Sequence, residues 1–441
     1  MSTARFRSIA KALGVALVFL ARPGLAATGA SAGDTAWVLV ASALVLFMTL
    51  PGLFLFYGGL LQKRNVLSVM VQCFALTATV TLVWLAFGYS VAFDATGMQP
   101  GVVGPHAIVG GLSKAFLRGV DASSLWGTIP EALFFVYQLT FAIITPALFV
   151  GAFAERMRFS AVLAFSLLWL VIVYLPVCHM VWGGPGALLA DMGVKDFAGG
   201  IVVHVTAGAS ALVAAIVVGS RSGYPDRAFI PHNMTMTMMG TGMLWVGWFG
   251  FNGGSALSAS GDAAMAVLVT QVSASMGAFT WSSIEWLKQG KASALGMATG
   301  AVAGLAAITP GAGFVGPAGA VIVGMVSGGL CFWASLSLKK RFKYDDSLDV
   351  FGVHGVGGLI GTILLAPLAS QSLGGRIANL DIGAQLKAQL IGASGTAAWS
   401  IVASYALLKL VDALVGLRVT EQQEREGLDL SEHAEAGYEM M

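Results

Sequence analysis

Charged side chains are scarce in this chain of 441 residues: aspartate, glutamate, lysine and arginine together make up 10% of it. A soluble domain carries about 25%. Hydrophobic residues reach 57%, so almost no stretch is left that could fold as a separate soluble domain. The composition therefore predicts an all-α polytopic membrane protein, and no nucleic-acid partner is expected.

Cysteine is also rare, with only Cys73, Cys178 and Cys331 in the whole chain. All three fall far apart in apolar segments, which predicts neither a disulfide framework nor a zinc site. Buried thiols of this kind behave as small apolar side chains. The sequence also lacks the CxxCH motif of haem attachment and the HExxH motif of zinc proteases. We therefore expect no metal, no cofactor and no enzymatic activity.

Two histidines stand out against this apolar background, His204 and His354. Each lies in a segment that otherwise resembles a membrane-spanning helix, where an ionisable side chain is costly and usually marks a substrate or proton path. We expect the two rings to meet near the middle of the membrane. Two alternatives are open at this stage: separate core histidines that each bond a backbone carbonyl, and a pair of haem ligands.

The first 26 residues have the features of a secretory signal peptide. Arg5, Arg7 and Lys11 form a basic region before a short apolar core, and 24–26 supply small residues at a cleavage position. Cleavage would leave the mature N-terminus outside. The alternative is a retained first helix, although the apolar core is short for a span, which needs roughly 20 residues.

Further apolar segments follow along the chain, and we count eleven. They are placed at 35–57, 67–93, 131–153, 159–182, 197–219, 233–252, 263–286, 292–309, 313–337, 350–369 and 385–414. The loops after the odd-numbered spans hold most of the positive charge, namely Lys63, Arg64, Arg156, Arg158, Arg221, Arg227, Lys288, Lys291, Lys339, Lys340, Arg341 and Lys343. The other loops hold only Lys114, Arg118, Lys195, Arg376 and Lys387. By the positive-inside rule the first set is cytoplasmic, so the N-terminus lies outside and the tail, 418–441, lies inside.

The two histidine segments occupy equivalent places in a weak internal repeat. His204 and His354 each lie near the start of the fifth span in a block of five, and each has an aspartate upstream, Asp196 or Asp349. An odd number of spans reverses the orientation of the second block. The pattern predicts two inverted five-helix repeats plus a C-terminal helix, a plan common among transporters, with the site between the halves.

Aromatic residues cluster near the predicted outer ends of several spans. Trp248, Phe251 and Ser255 fall within one glycine-rich stretch, Trp182 ends another span, and Phe141 lies within a third. Tryptophan at a membrane interface is most often an anchor, and phenylalanine in a span is most often packing. Each of these residues alone would therefore carry only a weak functional prediction.

Aspartates near the span ends are expected to be mainly structural. Asp196, at the outer start of the fifth span, is in the position of a helix cap that satisfies free N–H groups, and this role could itself shape the site. Asp349, at the start of the tenth span, is also expected to be a cap. The pair Asp345 and Asp346 lies in a predicted cytoplasmic loop and is expected to be solvated.

Four motifs make the chain resemble the ammonium transporter (Amt/Mep/Rh) family over nearly all of residues 34–441. They are Asp196-Phe197-Ala198-Gly199-Gly200 with Val203-His204; Gly247-Trp248-Phe249-Gly250-Phe251-Asn252 with Ser255; Asp349-Val350-Phe351-Gly352-Val353-His354-Gly355; and Glu424-Arg425-Glu426-Gly427-Leu428-Asp429. Trp182 and Ser255 make the chain more similar to the bacterial branch than to the Rhesus branch, which usually lacks an outer recruitment site. The outer loop, 94–130, matches no motif of the family.

The resemblance implies an architecture and partners. A transmembrane domain at 34–417 would form a homotrimer of eleven-helix subunits in the bacterial inner membrane, surrounded by lipid, each subunit with its own pore. The tail would pack under the cytoplasmic face and link subunits, whereas its acidic composition alone would favour disorder. Such transporters are often shut by a trimeric PII-type signal protein at the cytoplasmic exits.

The resemblance also implies roles for residues along a path. Trp182, Phe141 and Ser255 would form a recruitment site for ammonium or methylammonium, and Phe141 and Phe251 would form a gate. Trp248, His204 and His354 would line the pore, and Asp196 would give structural support. Ring faces attract a cation by about 0.5–2 kcal/mol, whereas an apolar lumen strips its water at high cost. Ammonium can avoid that cost by giving up a proton, which potassium cannot. The alternative is a sensor that reports ammonium through its tail with little flux.

Overall fold

The structure is a computed structural model that describes residues 29–438, and within this range the chain is almost entirely helical. Its long helices are α1 (Ala32–Leu60), α2 (Lys63–Phe93), α3 (Glu131–Phe153), α4 (Phe159–Trp182), α5 (Gly200–Val218), α6 (Met234–Trp248), α7 (Gly261–Gln289), α8 (Ala294–Gly311), α9 (Pro317–Phe342), α10 (Phe351–Leu368) and α11 (Ile382–Val415). All of these except α6 are long and apolar enough to cross a membrane, which makes ten such helices in the described part of the chain.

The remaining expected segment, 233–252, corresponds to α6 and the π-helical turn Phe249–Gly253 that continues it. This segment is rich in threonine and glycine, which lowers its hydropathy below that of the other ten. The count of eleven spans therefore stays a prediction. The expected signal peptide, 1–26, lies outside the described residues. The ends of the helices are called outer or inner here according to the charge prediction.

The two histidine-bearing helices, α5 and α10, cross at close range. A Cβ atom added to Gly208 would lie 2.2 Å from the backbone N and Cα of Gly355, and one added to Gly358 would lie 2.8 Å from Cβ of His204. Any larger side chain at Gly208 would push the two backbones apart. Glycine at this crossing therefore lets the two histidine-bearing helices approach each other closely.

The outer loop between α2 and α3 ends in a small antiparallel hairpin. Strand β1 (Leu125–Trp126) pairs with β2 (Ile129–Pro130), and Trp126 lies opposite Ile129. The hairpin leads directly into Glu131, the first residue of α3. It therefore fixes Trp126 beside the outer end of α3.

The tail folds back onto the inner ends of the helices through α12 (Glu421–Glu426) and α13 (Leu428–His433). The carboxylate of Asp429 accepts hydrogen bonds from the backbone N–H groups of Leu67, at 3.1 Å, and Ser68, at 2.7 Å. These N–H groups lie in the first turn of the regular α-helical part of α2, where free donors favour an anion. The tail thus supplies a cap to a helix that is distant in the sequence. The acidic composition of the tail alone would have favoured disorder instead.

Candidate functional site

His204 and His354 lie against each other at the crossing of α5 and α10. Their Nδ1 atoms are 3.2 Å apart, and the rings are inclined by only 21°. Both side chains are buried, with 1% and 4% exposed. Because the two nitrogens face each other at hydrogen-bond distance, one ring donates and the other accepts. The structure thus brings the two rings together. They are not separate core histidines that each bond a backbone carbonyl, and their Nδ1 atoms are too close for an iron to lie between them.

Both histidines lie in π-helical turns at the starts of their helices. Gly200–Val205 begins α5 and Phe351–Gly355 begins α10. In the first turn, the N–H of His204 donates to the carbonyl of Gly199 at 2.9 Å, one residue further back than in an α-helix. Turns of this kind occur frequently at functional sites because they change the direction of side chains within a helix. The matching turns give the two histidines equivalent local geometry.

Asp196 caps α5, as expected. Its two carboxylate oxygens accept four backbone hydrogen bonds of 2.6–3.0 Å, and the donors are Gly199, Gly200, Ile201 and Val202. Burial raises the pKa of the Asp196 carboxyl, although these four hydrogen bonds act in the opposite direction. The backbone carbonyl of Asp196 also accepts a hydrogen bond from Nε1 of Trp182 at 2.8 Å. The cap therefore fixes both the start of α5 and the indole ring.

The corresponding carboxylate at α10 is Asp346, not Asp349 as the sequence suggested. Oδ2 of Asp346 accepts a hydrogen bond from the N–H of Phe351 at 2.8 Å. Asp346 precedes His354 by eight residues, the same spacing that separates the outer cap from its histidine. Asp349 instead forms an ion pair with Lys339 at 2.8 Å. The two histidine segments therefore have a capping carboxylate at the same spacing, which agrees with the predicted repeat.

The expectation that Asp345 and Asp346 are solvated was wrong, because each is only 1% exposed. Arg221 donates to both carboxylate oxygens of Asp345, at 2.9 and 2.8 Å, and also pairs with Glu155 at 2.9 Å. Burial alone would raise the pKa of Asp345, but the hydrogen bonds and charge of Arg221 keep it below its ordinary value. At Asp346 burial outweighs the opposing charge of Lys339, and it raises the pKa of this carboxyl to about 6. The position of Asp345 in a loop did not indicate that Arg221, from another loop, would pair with it.

An outer cavity of about 240 Å³ contains the residues expected to recruit a cation. Trp182, Phe141 and Ser255 all line it. The rings of Trp182 and Phe141 meet at 90° with centres 5.9 Å apart. The hydroxyl of Ser255 lies 2.8 Å from the carbonyl of Phe251, to which it donates, and 3.2 Å from the hydroxyl of Tyr137. Trp182 therefore lines this cavity instead of serving only as an interfacial anchor.

The two phenylalanines that were expected to form a gate lie stacked beside this cavity. The rings of Phe141 and Phe251 are stacked, with centres 4.3 Å apart and planes inclined by 29°, and each side chain is 1% exposed. The ring of His204 follows, 6.1 Å from that of Phe251 and 5.6 Å from that of Trp248. The indole N–H of Trp248 donates to the hydroxyl of Thr309 at 2.9 Å. The aromatic pair thus separates the outer cavity from the histidines.

Two further cavities continue the line inward from the aromatic pair. The first has a volume of only about 10 Å³ and is lined by Phe251, Trp248 and both histidines, so it has room for about one small molecule. The second has a volume of about 330 Å³ and lies at the inner side, where His354 and Lys339 both line it. Because His354 lines both cavities, the histidine pair lies between the outer and inner spaces.

Residues 36–438 match the Ammonium Transporter Family. The chain belongs to this family. The match includes every residue of the outer cavity, the aromatic pair and the histidine pair described above. The family resemblance expected from the motifs is therefore confirmed.

Similar proteins of known sequence cover most of the chain. An ammonium transporter of Bacillus subtilis is 44% identical over 412 residues, which are 92% of this chain and 98% of that protein. Ammonium transporter Amt1 of Archaeoglobus fulgidus is 42% identical over 411 residues, which are 92% of this chain and 100% of that protein. Relatives of this kind, together with the apolar helices, make the chain an integral membrane protein.

Solved structures of the family have the same fold. A protein described as Sensor Amt Protein superimposes with a TM-score of 0.83 at 30% identity, over 91% of this chain and 98% of that one. Mep2 of Candida albicans superimposes with a TM-score of 0.80 at 32% identity, over 89% of this chain and 88% of that one.

Sequence reasoning missed two residues that support the site, Tyr137 and Thr309. The hydroxyl of Tyr137 contacts Ser255 and donates to the carbonyls of Gly250 and Phe251, both at 3.0 Å. Tyr137 precedes Phe141 by four residues, the spacing that places two side chains on one helix face, so this signal was available. Thr309 lies at the end of α8, and no local pattern connects it with Trp248.

Proposed function

We propose that the chain conducts ammonium or ammonia across the membrane through a hydrophobic pore lined by His204 and His354. The observation that carries this proposal is the line of cavities, in which a stacked pair of phenylalanines separates an outer cavity from two buried, mutually bonded histidines. A site that only binds ammonium would not need a second cavity beyond the histidines.

Recruitment would take place in the outer cavity. The indole N–H of Trp182 is already bonded to Asp196, so the ring face, not the N–H, is available to a cation. The hydroxyl of Ser255 donates its proton to Phe251, which leaves its oxygen free to accept a hydrogen bond from ammonium. A cation–π attraction of about 0.5–2 kcal/mol and one hydrogen bond suit a small cation that has four donors.

Selection would take place between the outer cavity and the histidines. A cation that passes Phe141 and Phe251 enters a space of about 10 Å³, where little of its hydration shell can follow. Losing that shell is costly. Ammonium can leave its proton behind and continue as neutral ammonia, whereas potassium has no neutral form. The small middle cavity therefore supports deprotonation as the basis of selectivity.

The histidines would then provide polar contacts in the apolar lumen. Nδ1 of each ring is engaged by the other, and Nε2 of His204 has no hydrogen-bond partner among residues 29–438. A buried nitrogen without a partner costs free energy, and ammonia, or a proton, could satisfy it. The pair would thus form a polar track for ammonia and for the proton.

The assembly and its surroundings are part of the same proposal. The mature chain would contain eleven spans in two inverted repeats and a C-terminal helix, follow a cleaved signal peptide, and form a homotrimer in the bacterial inner membrane. The N-terminus would lie outside and the tail in the cytoplasm, where a PII-type signal protein would bind. The docking of Asp429 onto α2 supports an ordered tail at that face.

Reconstituted liposomes test conduction against the sensor alternative. Full-length protein in liposomes should take up labelled methylammonium down an imposed gradient faster than protein-free liposomes, and addition of ammonium should report by current whether net charge crosses. Saturable ammonium binding without uptake or current would instead make the chain a sensor, the description that one of its structural neighbours carries.

A further inference from the structure

The ammonium group of a lysine side chain is held at the outer side of the protein by residues that the proposed path does not use. Lys114 of the outer loop forms an ion pair with Glu131, the first residue of α3. Its Nζ atom also lies 5.9 Å from the ring centre of Tyr89 and 5.8 Å from that of Trp126. The alkylammonium group is thus surrounded by one carboxylate and two aromatic rings.

The walls of this cage are fixed by contacts other than those of the lysine. Glu131 is only 6% exposed, and its Oε1 accepts a hydrogen bond from the hydroxyl of Tyr89 at 2.7 Å. Trp126 is held in the β1–β2 hairpin and stacks on Phe134, with ring centres 4.1 Å apart and planes inclined by 4°. The side chain of Lys114 is 28% exposed. Tyr89 and Glu131 are therefore more deeply buried than the lysine that they contact.

The cage has the chemistry that recognises a small ammonium cation. A buried carboxylate needs a cation, because leaving one charge of a pair unpaired is strongly destabilising, and aromatic faces add a cation–π attraction. Trp126 and Phe134 also line the outer cavity, so a cation in that cavity is close to the cage. Ammonium and methylammonium carry the same kind of N–H donors and the same charge as the tip of the lysine.

We propose that Tyr89, Trp126 and Glu131 form a second binding site for small ammonium-type cations at the edge of the outer cavity, and that Lys114 is its tethered occupant. The tether gives the lysine a high effective concentration at the cage, so free ammonium does not fill it in the native chain. Lys114 thereby keeps this site from competing with Trp182 and Ser255 for the free cation. This inference does not depend on whether the cation crosses the membrane.

Equilibrium binding of methylammonium to the purified full-length protein tests the site. Lys114→Met, which keeps most of the apolar stem but removes the charged ammonium group from the cage, should show one more saturable binding event per chain than the native protein. The matched control Lys114→Arg keeps the charge and should show no such gain. Adding Glu131→Gln to Lys114→Met should weaken the gained binding by about tenfold or more, whereas adding Trp182→Leu should leave it in place.

Equal stoichiometry in Lys114→Met and the native chain would overturn the proposal, as would a gain that survives Glu131→Gln. Lys114→Met leaves the carboxylate of Glu131 unpaired and could lower the yield of folded protein. In that case thermal unfolding carries the test, because methylammonium, compared with the same concentration of sodium, should raise the midpoint of Lys114→Met more than it raises that of Lys114→Arg. A methylammonium-specific rise of the midpoint that is equal in the two variants would also overturn the proposal.

Discussion

At the residue scale, the outer cavity combines two weak attractions for a cation. The N–H of Trp182 and the proton of Ser255 are both used within the protein, at 2.8 Å in each case. What remains for a ligand is a ring face and an oxygen lone pair. These two groups attract cations and offer nothing to anions, so their loss should change affinity before it changes the maximal rate.

Replacing Trp182 by leucine should raise the half-saturation concentration for transport by roughly 2- to 30-fold, which corresponds to a lost cation–π attraction of about 0.5–2 kcal/mol. Ser255→Ala should act more weakly, because one neutral hydrogen bond contributes about 0.5–1.5 kcal/mol. Uptake of labelled methylammonium at increasing concentrations, normalised to inserted protein, measures both effects.

The control for this pair is Trp286→Leu, because Trp286 is 68% exposed on α7 and does not line the outer cavity. Trp286→Leu should affect at most the yield of inserted protein and should leave the half-saturation concentration for transport unchanged. An unchanged half-saturation concentration in both cavity variants would show that Trp182 and Ser255 do not recruit the cation and serve only in packing and anchoring.

At the element scale, the starts of α5 and α10 determine where the histidines lie. The length of the apolar segments located ten of the candidate spans, because a long apolar segment has few alternatives to a membrane helix. The same reasoning assigned the cap of α10 to Asp349 and placed Asp346 in solvent, because residues in a loop give no local sign of burial. The contact of Asp345 with Arg221 joins distant parts of the chain, so only the folded structure could reveal it.

The crossing of α5 and α10 should tolerate no added atom. Gly208→Ala would place a Cβ 2.2 Å from the backbone of Gly355, so the helices must separate and the histidine rings lose their contact. Overpacking of this kind costs about 1–3 kcal/mol. We expect a lower thermal midpoint and uptake near background in the same assay.

A matched glycine provides the control for Gly208. Gly395 lies within α11, and a Cβ added there meets nothing within 4 Å. Gly395→Ala should therefore keep uptake at the native level and not lower the thermal midpoint, because alanine favours a helix more than glycine does. Native uptake by Gly208→Ala would show that the crossing does not need to be so close.

The start of α10 should also make stability depend on pH. The pKa of Asp346 is raised by burial from 3.8 to about 6, so the folded protein favours the protonated carboxyl. The stability that this group contributes is present below pH 3.8 and is lost as the pH rises through about 6. The loss amounts to about 3 kcal/mol at most.

Asp346→Asn should remove this dependence, since the amide oxygen can still accept the hydrogen bond from Phe351 but carries no charge. The stability of the variant relative to that of the native protein should therefore increase from pH 4 to pH 7.5. Unfolding midpoints at both pH values measure the change, with Asp226→Asn, at an exposed position of an inner loop, as the control. A difference between variant and native protein that is the same at both pH values would contradict the assignment.

At the scale of the whole molecule, the tail connects the inner ends of helices that are distant in the sequence. Asp429 caps α2, Asn65 accepts from the N–H of Leu428 at 2.8 Å, and Glu424 contacts both Ser222 and Arg418. Glu424 lines a small pocket together with Arg227, and Arg227 also lines the inner cavity. The position of the tail should therefore influence conduction without forming the path itself.

A chain that ends at Val419 should show reduced transport and an unchanged oligomeric state. This truncation keeps the hydrogen bond from Val419 to the carbonyl of Arg156 at 3.1 Å but removes the cap on α2. The exchange Glu421→Ala is the control, because its ion pair with Arg425 is exposed and such pairs contribute little. An unchanged uptake rate in the truncated protein would make the tail passive.

The histidine pair provides the most direct test of the account as a whole. His204→Ala and His354→Ala, each reconstituted as a folded oligomer in liposomes, should be compared with the native protein for methylammonium uptake and for exclusion of potassium. We predict that the native protein transports methylammonium and excludes potassium, and that both variants lose this selective uptake because the apolar lumen no longer offers a polar contact to ammonia or the proton. Native rates and selectivity in both variants would contradict a pore that depends on these two rings.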